Sequence, residues 1–498
     1  MPSPTPPEVK DGVPTSSTLS IVSRLPTPNH AGTRAARVEH QLRTGIGIGM
    51  LETGERLPSE DVMARQMSVS PLTFRQSLER LRHDGLVRTR PGRGGGTFIH
   101  ATDVDLDRLA RSALQARTLS EIADLGGAVG ELLAGAARYA ARRHDAFDDA
   151  DLRTALRRLA DSQDTVGRRR AATLYLVTIA RIARNERLLA TLVPPVGEMQ
   201  SIAWVNGSSE VPAALWRSTE QTVSAIIASR EDDAARAARD SVRILAGLLL
   251  NDRAALYGSR RENGPEDITA AFADLGAQLD DVASHLGEAA ERIAEIPAPQ
   301  RARDASAQRV DEILQTIIHR SGDLVRGAGI AYRPGLLTDS RLWMDWWDRG
   351  HSAEPAFKAH EFASRSLQYY DYEAMPWFAQ ALARETMSVF GPYFDRGGIE
   401  TMTITVSLGV RAAPFEGCVI GADLDLPAIE SLLLRGHVPD GAHHVVLNQD
   451  SRVVLSTSPG LQVGDPLPPA KDRPAMTVLA EGTGSISGWT LAQLHPSD

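Results

Sequence analysis

Residues 49–99 read GMLETGERLPSEDVMARQMSVSPLTFRQSLERLRHDGLVRTRPGRGGGTFI, and their punctuation decides the fold of this end of the chain. Ser59 stands where it can cap a short helix over "EDVMARQM", and "SVS" (68–70) is a tight turn. Ser70 then opens a second helix, with Pro71 at its first position, where a missing N–H is tolerated. Phe74, Leu78 and Leu81 recur at helical spacing and give one apolar stripe. Thr73, Arg75, Gln76 and Arg80 fall on the opposite face, and Gly85 ends the helix. "LVRTR" (86–90) and "TFI" (97–99) flank "PGRGGG", the pattern of a β-hairpin with a basic tip. Helix, turn, helix and hairpin make a winged helix-turn-helix. Its second helix is expected in the major groove of DNA and its wing on phosphate or the minor groove.

"TGERLPSE", "VSPLTFRQSLERLRHDGLV" and "PGRGGGTFI" together resemble the N-terminal domain of the GntR family of bacterial transcriptional regulators, over residues 35–100. The resemblance implies DNA contacts by Ser70, Thr73 and Arg75 and by the wing residues Arg93 and Gly94. Two positions depart from the family pattern: Asp61 follows "LPSE" and Pro71 follows "VS", where the family often carries Arg. The operator is therefore expected to differ from the family norm. A winged helix used only for protein contacts is the bland alternative, and it suits the basic face and glycine-rich wing less well.

Outward from this stretch, the 498-residue chain is long enough for several domains. Its net charge of −9 argues against a general nucleic-acid coat, yet residues 35–100 hold ten Arg against seven carboxylates. Residues 1–34 are rich in Pro, Ser and Thr and read as a disordered tail without a signal peptide. No apolar run is long enough for a membrane span, so no membrane partner is expected. With a single cysteine, Cys418, there is no intrachain disulfide, and a cytoplasmic location follows. Cys418 lies in "GCVIGADLD", a buried-strand pattern that favours a small core residue over a reactive thiol.

Residues 101–255 are Ala-, Leu- and Arg-rich at helical spacing and predict five to seven helices and no strand. After a winged helix of this kind they resemble the FadR-type all-helical effector domain. Many such domains hold a metal on an Asp-x-x-x-His pair and two further histidines. Here the corresponding positions are Ala172 and Leu176, and His144 is the only histidine between residues 101 and 280. No metal and no other cofactor is expected; a bundle for dimerisation and relay is the favoured reading. "YGSRRENGPED" (257–267) reads as a linker.

From about residue 328 the pattern turns to alternating, β-branched runs: "TMTITVSLGVR", "GCVIGADLDL" and "HHVVLNQDSRVVLSTS" read as antiparallel strands. Residues 332–395 hold 14 of the 25 aromatic residues, interleaved with acids, as in "YYDYEAMPWF" (369–378). A core accounts for single rings; rings together with carboxylates are what a cationic ligand requires. The order of motifs over 265–470 resembles a Cache domain, a PAS-like α/β sensor on an antiparallel sheet. The resemblance implies a pocket lined by Trp346, Trp347, Tyr372, Trp377, Phe378, Tyr393 and Asp423. Cache domains that bind amino acids carry an Arg two residues before a Trp-Tyr pair. Here that place is Met375 before Trp377-Phe378, so an α-carboxylate lacks its partner, and an amine or neutral small molecule fits better.

The expectation is thus a multidomain α and α+β protein. It has a tail at 1–34, a winged helix at 35–100, an all-helical bundle at 101–255 and a Cache-like sensor at 256–498. Its function is a small-molecule-responsive transcriptional regulator, dimeric on a pseudo-palindromic operator. One alternative places the effector in the helical middle, with the C-terminal domain serving assembly; another is an architectural DNA-binding protein. Some GntR relatives carry a PLP-dependent aminotransferase fold, which needs a Schiff-base lysine. Only Lys358 and Lys471 lie in the C-terminal half, neither in a suitable context, so no enzyme is expected.

Overall fold

The computed structural model describes residues 13–26, 33–92, 95–205, 211–258, 267–297, 299, 301–302, 305–350, 354–436, 442–469 and 475–495. The chain divides into two compact units, Met1–Arg253 and Ala254–Asp498.

The first unit begins with a short helix, α1 (Ser16–Val22), inside the stretch expected to be disordered. Thr15 caps it, and Leu19, Ile21, Val22 and Leu25 are buried. They join one apolar core with Val38, Leu42 and Ile46 of α2 (Arg34–Gly47) and Val193 further along the chain. Gln41 Nε2 donates to the carbonyls of Ser23 (3.0 Å) and Leu25 (3.1 Å), which fixes the segment's exit. The expectation of disorder over 1–34 is thereby corrected for this segment. Its polar composition masks a short apolar face that finds a partner only in the fold. Residues 1–12 and 27–32 lie outside the described residues.

The winged helix follows with α3 (Glu60–Gln66), α4 (Pro71–His83), β1 (Val87–Arg90) and β2 (Gly96–Ile99). Ser70 Oγ accepts from Thr73 N (3.1 Å), the predicted cap, with Pro71 in the first turn. Ser59 occupies the N-cap position of α3, but its hydroxyl makes no cap hydrogen bond. Phe74, Leu78 and Leu81 are buried, and Gly85 turns the chain at φ +76°. The hairpin pairs Val87 with Ile99 and Arg90 with Gly96, and Arg56 makes an isolated antiparallel bridge to Phe98.

Among the described residues seven helices then form the bundle: α5 (Asp103–Gln115), α6 (Leu119–Arg143), α7 (Ala146–Ala160), α8 (Thr165–Ile182), α9 (Glu186–Ser201), α10 (Ala213–Ile227) and α11 (Glu231–Gly258). Capping boxes start α5, α6 and α7, at Thr102/Asp105, Thr118/Glu121 and Asp145/Asp148. On α6, a Cβ at Gly126 would come 2.7 Å from the Ala246 side chain, so this glycine lets α11 approach closely. Arg239 to Glu131 (2.6 Å) and Arg142 to Glu231 (2.6 Å) tie the same two helices at the surface. The expected linker at 257–267 lies almost wholly outside the described residues.

In the second unit, helices α12 (Ile268–Ala294) and α13 (Ala305–Arg320) precede two antiparallel sheets. The larger contains β3 (Val325–Ala331), β4 (Met344–Asp348), β5 (Ala356–Phe357), β6 (Ser388–Phe394), β7 (Met402–Gly409) and β8 (Val419–Leu424), in the order β5-β4-β3-β8-β7-β6. Helix α14 (Pro376–Ala383) lies between β5 and β6 in the chain, and α15 (Leu426–Leu433) follows β8. The smaller sheet has the order β10-β9-β12-β11, from β9 (His443–Leu447), β10 (Val453–Ser456), β11 (Met476–Glu481) and β12 (Thr490–Leu494). Its β9–β10 hairpin is the expected one; β11 and β12 were not anticipated. Buried faces of α12, α13, both sheets and Trp489 share one apolar core.

Candidate functional site

Strand alternation sorts the larger sheet into two faces. On one face Trp346, Gly329, Gly421 and Ser407 lie side by side across β4, β3, β8 and β7. Two residues along, Asp348, Gly327, Asp423, Thr405 and Phe390 form the neighbouring row. The glycines are the floor for an indole: a Cβ on Gly329 would come 2.6 Å from Trp346 Cδ2, and one on Gly327 3.1 Å from Trp346 Nε1. Over this floor Trp346, Trp377, Tyr393, Tyr370, His360 and Asp423 line a small cavity with Asp395, Thr405 and Met344. It admits the centre of a water-sized sphere over about 10 Å³, room for about one water-sized group.

Two carboxylates face this cavity. Asp423 Oδ1 accepts from Thr405 Oγ1 (2.6 Å), and Thr405 in turn meets the Tyr393 hydroxyl (2.9 Å). Asp395 accepts from the Tyr370 hydroxyl (3.0 Å) and from Ile399 N (2.8 Å). Burial pushes the carboxyl of Asp423 well above its ordinary range, and the nearby charge of Asp395 adds to the shift. Burial likewise raises Asp395. His360, the one titratable base in the lining, is pushed down to about 4 by burial, with Lys358 adding to it, and is neutral at pH 7. Two indole N–H donors, Trp346 Nε1 and Trp377 Nε1, are buried without a hydrogen-bond partner.

Of the seven residues expected in the pocket, Trp346, Trp377, Tyr393 and Asp423 line it. Tyr372 and Phe378 sit behind it in the same apolar cluster, ring to ring at 5.2 Å. Tyr372 is structural: its hydroxyl donates to the Tyr332 carbonyl (2.6 Å) and accepts from Trp343 N (3.1 Å). Trp347 does not belong here. As the strand neighbour of Trp346 it points to the opposite face, where Nε1 donates to Asp311 (2.9 Å) and the ring meets Phe357. Asp345, the strand neighbour of Trp346 on its other side, is held by Tyr332 (2.7 Å) and Trp343 (3.0 Å). Tyr370, Thr405 and His360 were not expected, and Asp395, one of the acids interleaved with the rings, was not assigned to the pocket. Thr405 could have been found, because it lies directly opposite Asp423 once β7 and β8 are paired.

In the first unit, α4 presents Ser70 exposed and Thr73 half-buried on its first turn. Arg75 is 57% exposed, and Glu60 of α3 holds its guanidinium from the side at 3.0 Å. Leu72, 64% exposed, adds an apolar tip of the kind that meets a thymine methyl. On the wing, Arg88, Thr89 and Arg90 are exposed along β1, with the Arg90 guanidinium 4.8 Å above the Phe98 ring. Arg93 and Gly94 lie outside the described residues. Arg88 and Arg90 were not expected as site residues; alternation along "LVRTR" is the signal that could have found them. Residues 34–99 match the profile of the family described as "Bacterial regulatory proteins, gntR family".

This segment is a GntR-family helix-turn-helix domain.

The chain that carries the GntR-family domain is 31% identical over 155 residues to an HTH-type transcriptional regulator, RmpR, of Mycobacterium gastri. That match takes in 31% of this chain and 57% of RmpR, so the chain spans little more than half the length of this relative. Among solved structures, E. coli McbR/YncC is 19% identical, covering 44% of this chain and 98% of its own at a TM-score of 0.26. The ligand-binding domain of the Pseudomonas fluorescens chemoreceptor CtaA, in complex with L-valine, is 15% identical and covers 50% of this chain and 98% of its own, with a TM-score of 0.32. The GntR-family domain carries its two departures on the surface: Asp61 is exposed in the first turn of α3, and Pro71 starts α4.

The residues after the GntR-family domain do not fit the metal of FadR-type bundles. Ala172 and Leu176 offer no ligand atom, and His144 is engaged by Asp149 (2.7 Å) and Ser229 (3.0 Å). Among the described residues no group of three His, Cys, Asp or Glu side chains could hold a metal ion. Among the same residues no helix is long and apolar enough to cross a membrane.

Proposed function

We propose that this protein is a transcriptional regulator that reads DNA as a homodimer through its GntR-family domain and senses a small cationic molecule in its C-terminal unit. The observation that carries the ligand class is the pairing of Asp423 and Asp395 across one aromatic-walled cavity whose lining contains no Lys or Arg. Buried carboxylates without a cation are unfavourable, and a ligand ammonium relieves both at once. Ring faces of Trp346, Trp377 and Tyr393 add cation–π attraction. The space suits a head group about the size of one water, such as an ammonium. A free amino acid fits less well, because Met375 stands where a carboxylate-binding Arg would be needed.

Ligand regulates DNA binding to the extent that it prefers one DNA-binding state of the dimer, by a few kcal/mol for a near-complete switch. Calorimetric titration with panels of primary amines, quaternary amines and α-amino acids tests the ligand class. Amines are expected to bind the wild type and not Asp423→Asn or Trp377→Ala, while both variants keep operator binding. Binding of α-amino acids alone sinks the reading. Sedimentation with and without a two-fold operator fragment tests the dimer.

A further inference from the structure

The outward stripe of α4 begins with a hydrocarbon. Helical spacing puts Leu72 in line with Arg75, Gln76 and Glu79, on the side away from buried Phe74, Leu78 and Leu81. Arg75, Gln76 and Glu79 are exposed, as the polar face of a surface helix should be. Leu72, at the leading end of the stripe, is 64% exposed. Among the described residues of the winged helix, Val62, at 41%, is the other large apolar side chain left in water.

A lone leucine on an ordinary surface needs no explanation. The setting of Leu72 is not ordinary. It is the second residue of the helix that a winged helix turns toward the major groove. Its neighbour Pro71 is also exposed and brings neither charge nor N–H donor. The flanking hydroxyls are partly spent on the helix cap: Ser70 Oγ lies 2.8 Å from Thr73 Oγ1 and accepts from Thr73 N (3.1 Å). Arg75, one turn on, donates through Nε to Glu60 of α3 (3.0 Å). The tip of α4 therefore offers the groove an apolar surface before any charge. One base carries an apolar group there, the C5 methyl of thymine; the other bases present ring nitrogens, keto and amino groups.

We propose that Leu72 is a specificity-determining residue that packs on a thymine methyl in each half-site of the operator. This rests on the DNA reading proposed for the GntR-family domain. Cβ atoms three or four residues apart on a helix are about 5–6 Å apart, and base pairs rise about 3.4 Å. The thymine therefore lies within about two base pairs of the group met by Arg75.

The test uses the full-length protein and a pool of random-sequence duplexes. Duplexes retained by the wild type are sequenced, and the consensus is remade with each thymine in turn replaced by deoxyuridine, which lacks only the methyl. Anisotropy titration is expected to find one thymine per half-site whose replacement weakens wild-type binding about threefold to tenfold. Leu72→Ala and Leu72→Gln are expected to bind the unmodified duplex more weakly and to be indifferent to deoxyuridine at that position. Arg75→Ala binds more weakly throughout and keeps the deoxyuridine effect. Two results overturn the proposal while DNA reading stands: a selected duplex in which no thymine responds to deoxyuridine, or a response that survives in both Leu72 variants. A pool that yields no enriched sequence overturns the DNA reading and the proposal together.

Discussion

Asp423 shows how much one side chain can set. Its charged form is disfavoured in the fold by burial and by Asp395, with Asp348 adding to the shift and Arg326 opposing it. A carboxyl raised in the native state lends stability below its unfolded value, near 3.8, and that stability fades as pH climbs through the raised native value. Asp423→Asn keeps an acceptor for Thr405 and removes this decline. Urea unfolding is expected to show the variant gaining stability on the wild type as pH rises from 4 to 8. Amine binding runs the other way along the same axis. The bound cation favours the ionised carboxyls, so binding releases protons and tightens as pH rises from 5 to 8; a flat calorimetric profile would contradict it. At this scale the pocket was partly legible. Rings and acids pointed to Trp346, Trp377, Tyr393 and Asp423. Trp347 was misplaced because adjacent strand residues face opposite ways, and which tryptophan faces the pocket depends on a register visible only once the sheet is paired.

Among the elements, α4 was the most legible, because its cap, its Pro and its apolar stripe are all local signals. Fluorescence anisotropy is expected to show Arg75→Ala weakening operator binding about tenfold or more, with the fold intact, since Arg75 is exposed and pairs with Glu60 at the surface. Helix α1 was illegible for the opposite reason: seven residues cannot sustain a helix alone, and its order comes from tertiary partners. Removing residues 1–26 uncovers Val38, Leu42 and Val193 by withdrawing four buried apolar side chains. The expected loss is about 3–6 kcal/mol in thermal or urea unfolding of the first unit. Strand β11 escaped notice because none of its residues is buried and it lacks the apolar alternation that marks a half-buried strand.

At the scale of the whole molecule, the chain reads as three sequence domains but folds as two units, and the joint falls at 253/254. The missing joint, near residue 100, is closed by shared packing. Val177 of α8 and Val193 of α9 belong to the same apolar core as α1, α2 and α4, and Arg170 pairs with Glu52 across the seam. A polypeptide ending at residue 100 exposes that seam to water, and size-exclusion chromatography is expected to find it associating, whereas one ending near residue 258 stays dispersed. The apolar seam therefore has a practical meaning for anyone recombining regulators. The DNA reader is not a cassette to be lifted out at the edge of its sequence family, and a chimera that transplants it must carry the bundle and the amino-terminal strap along with it.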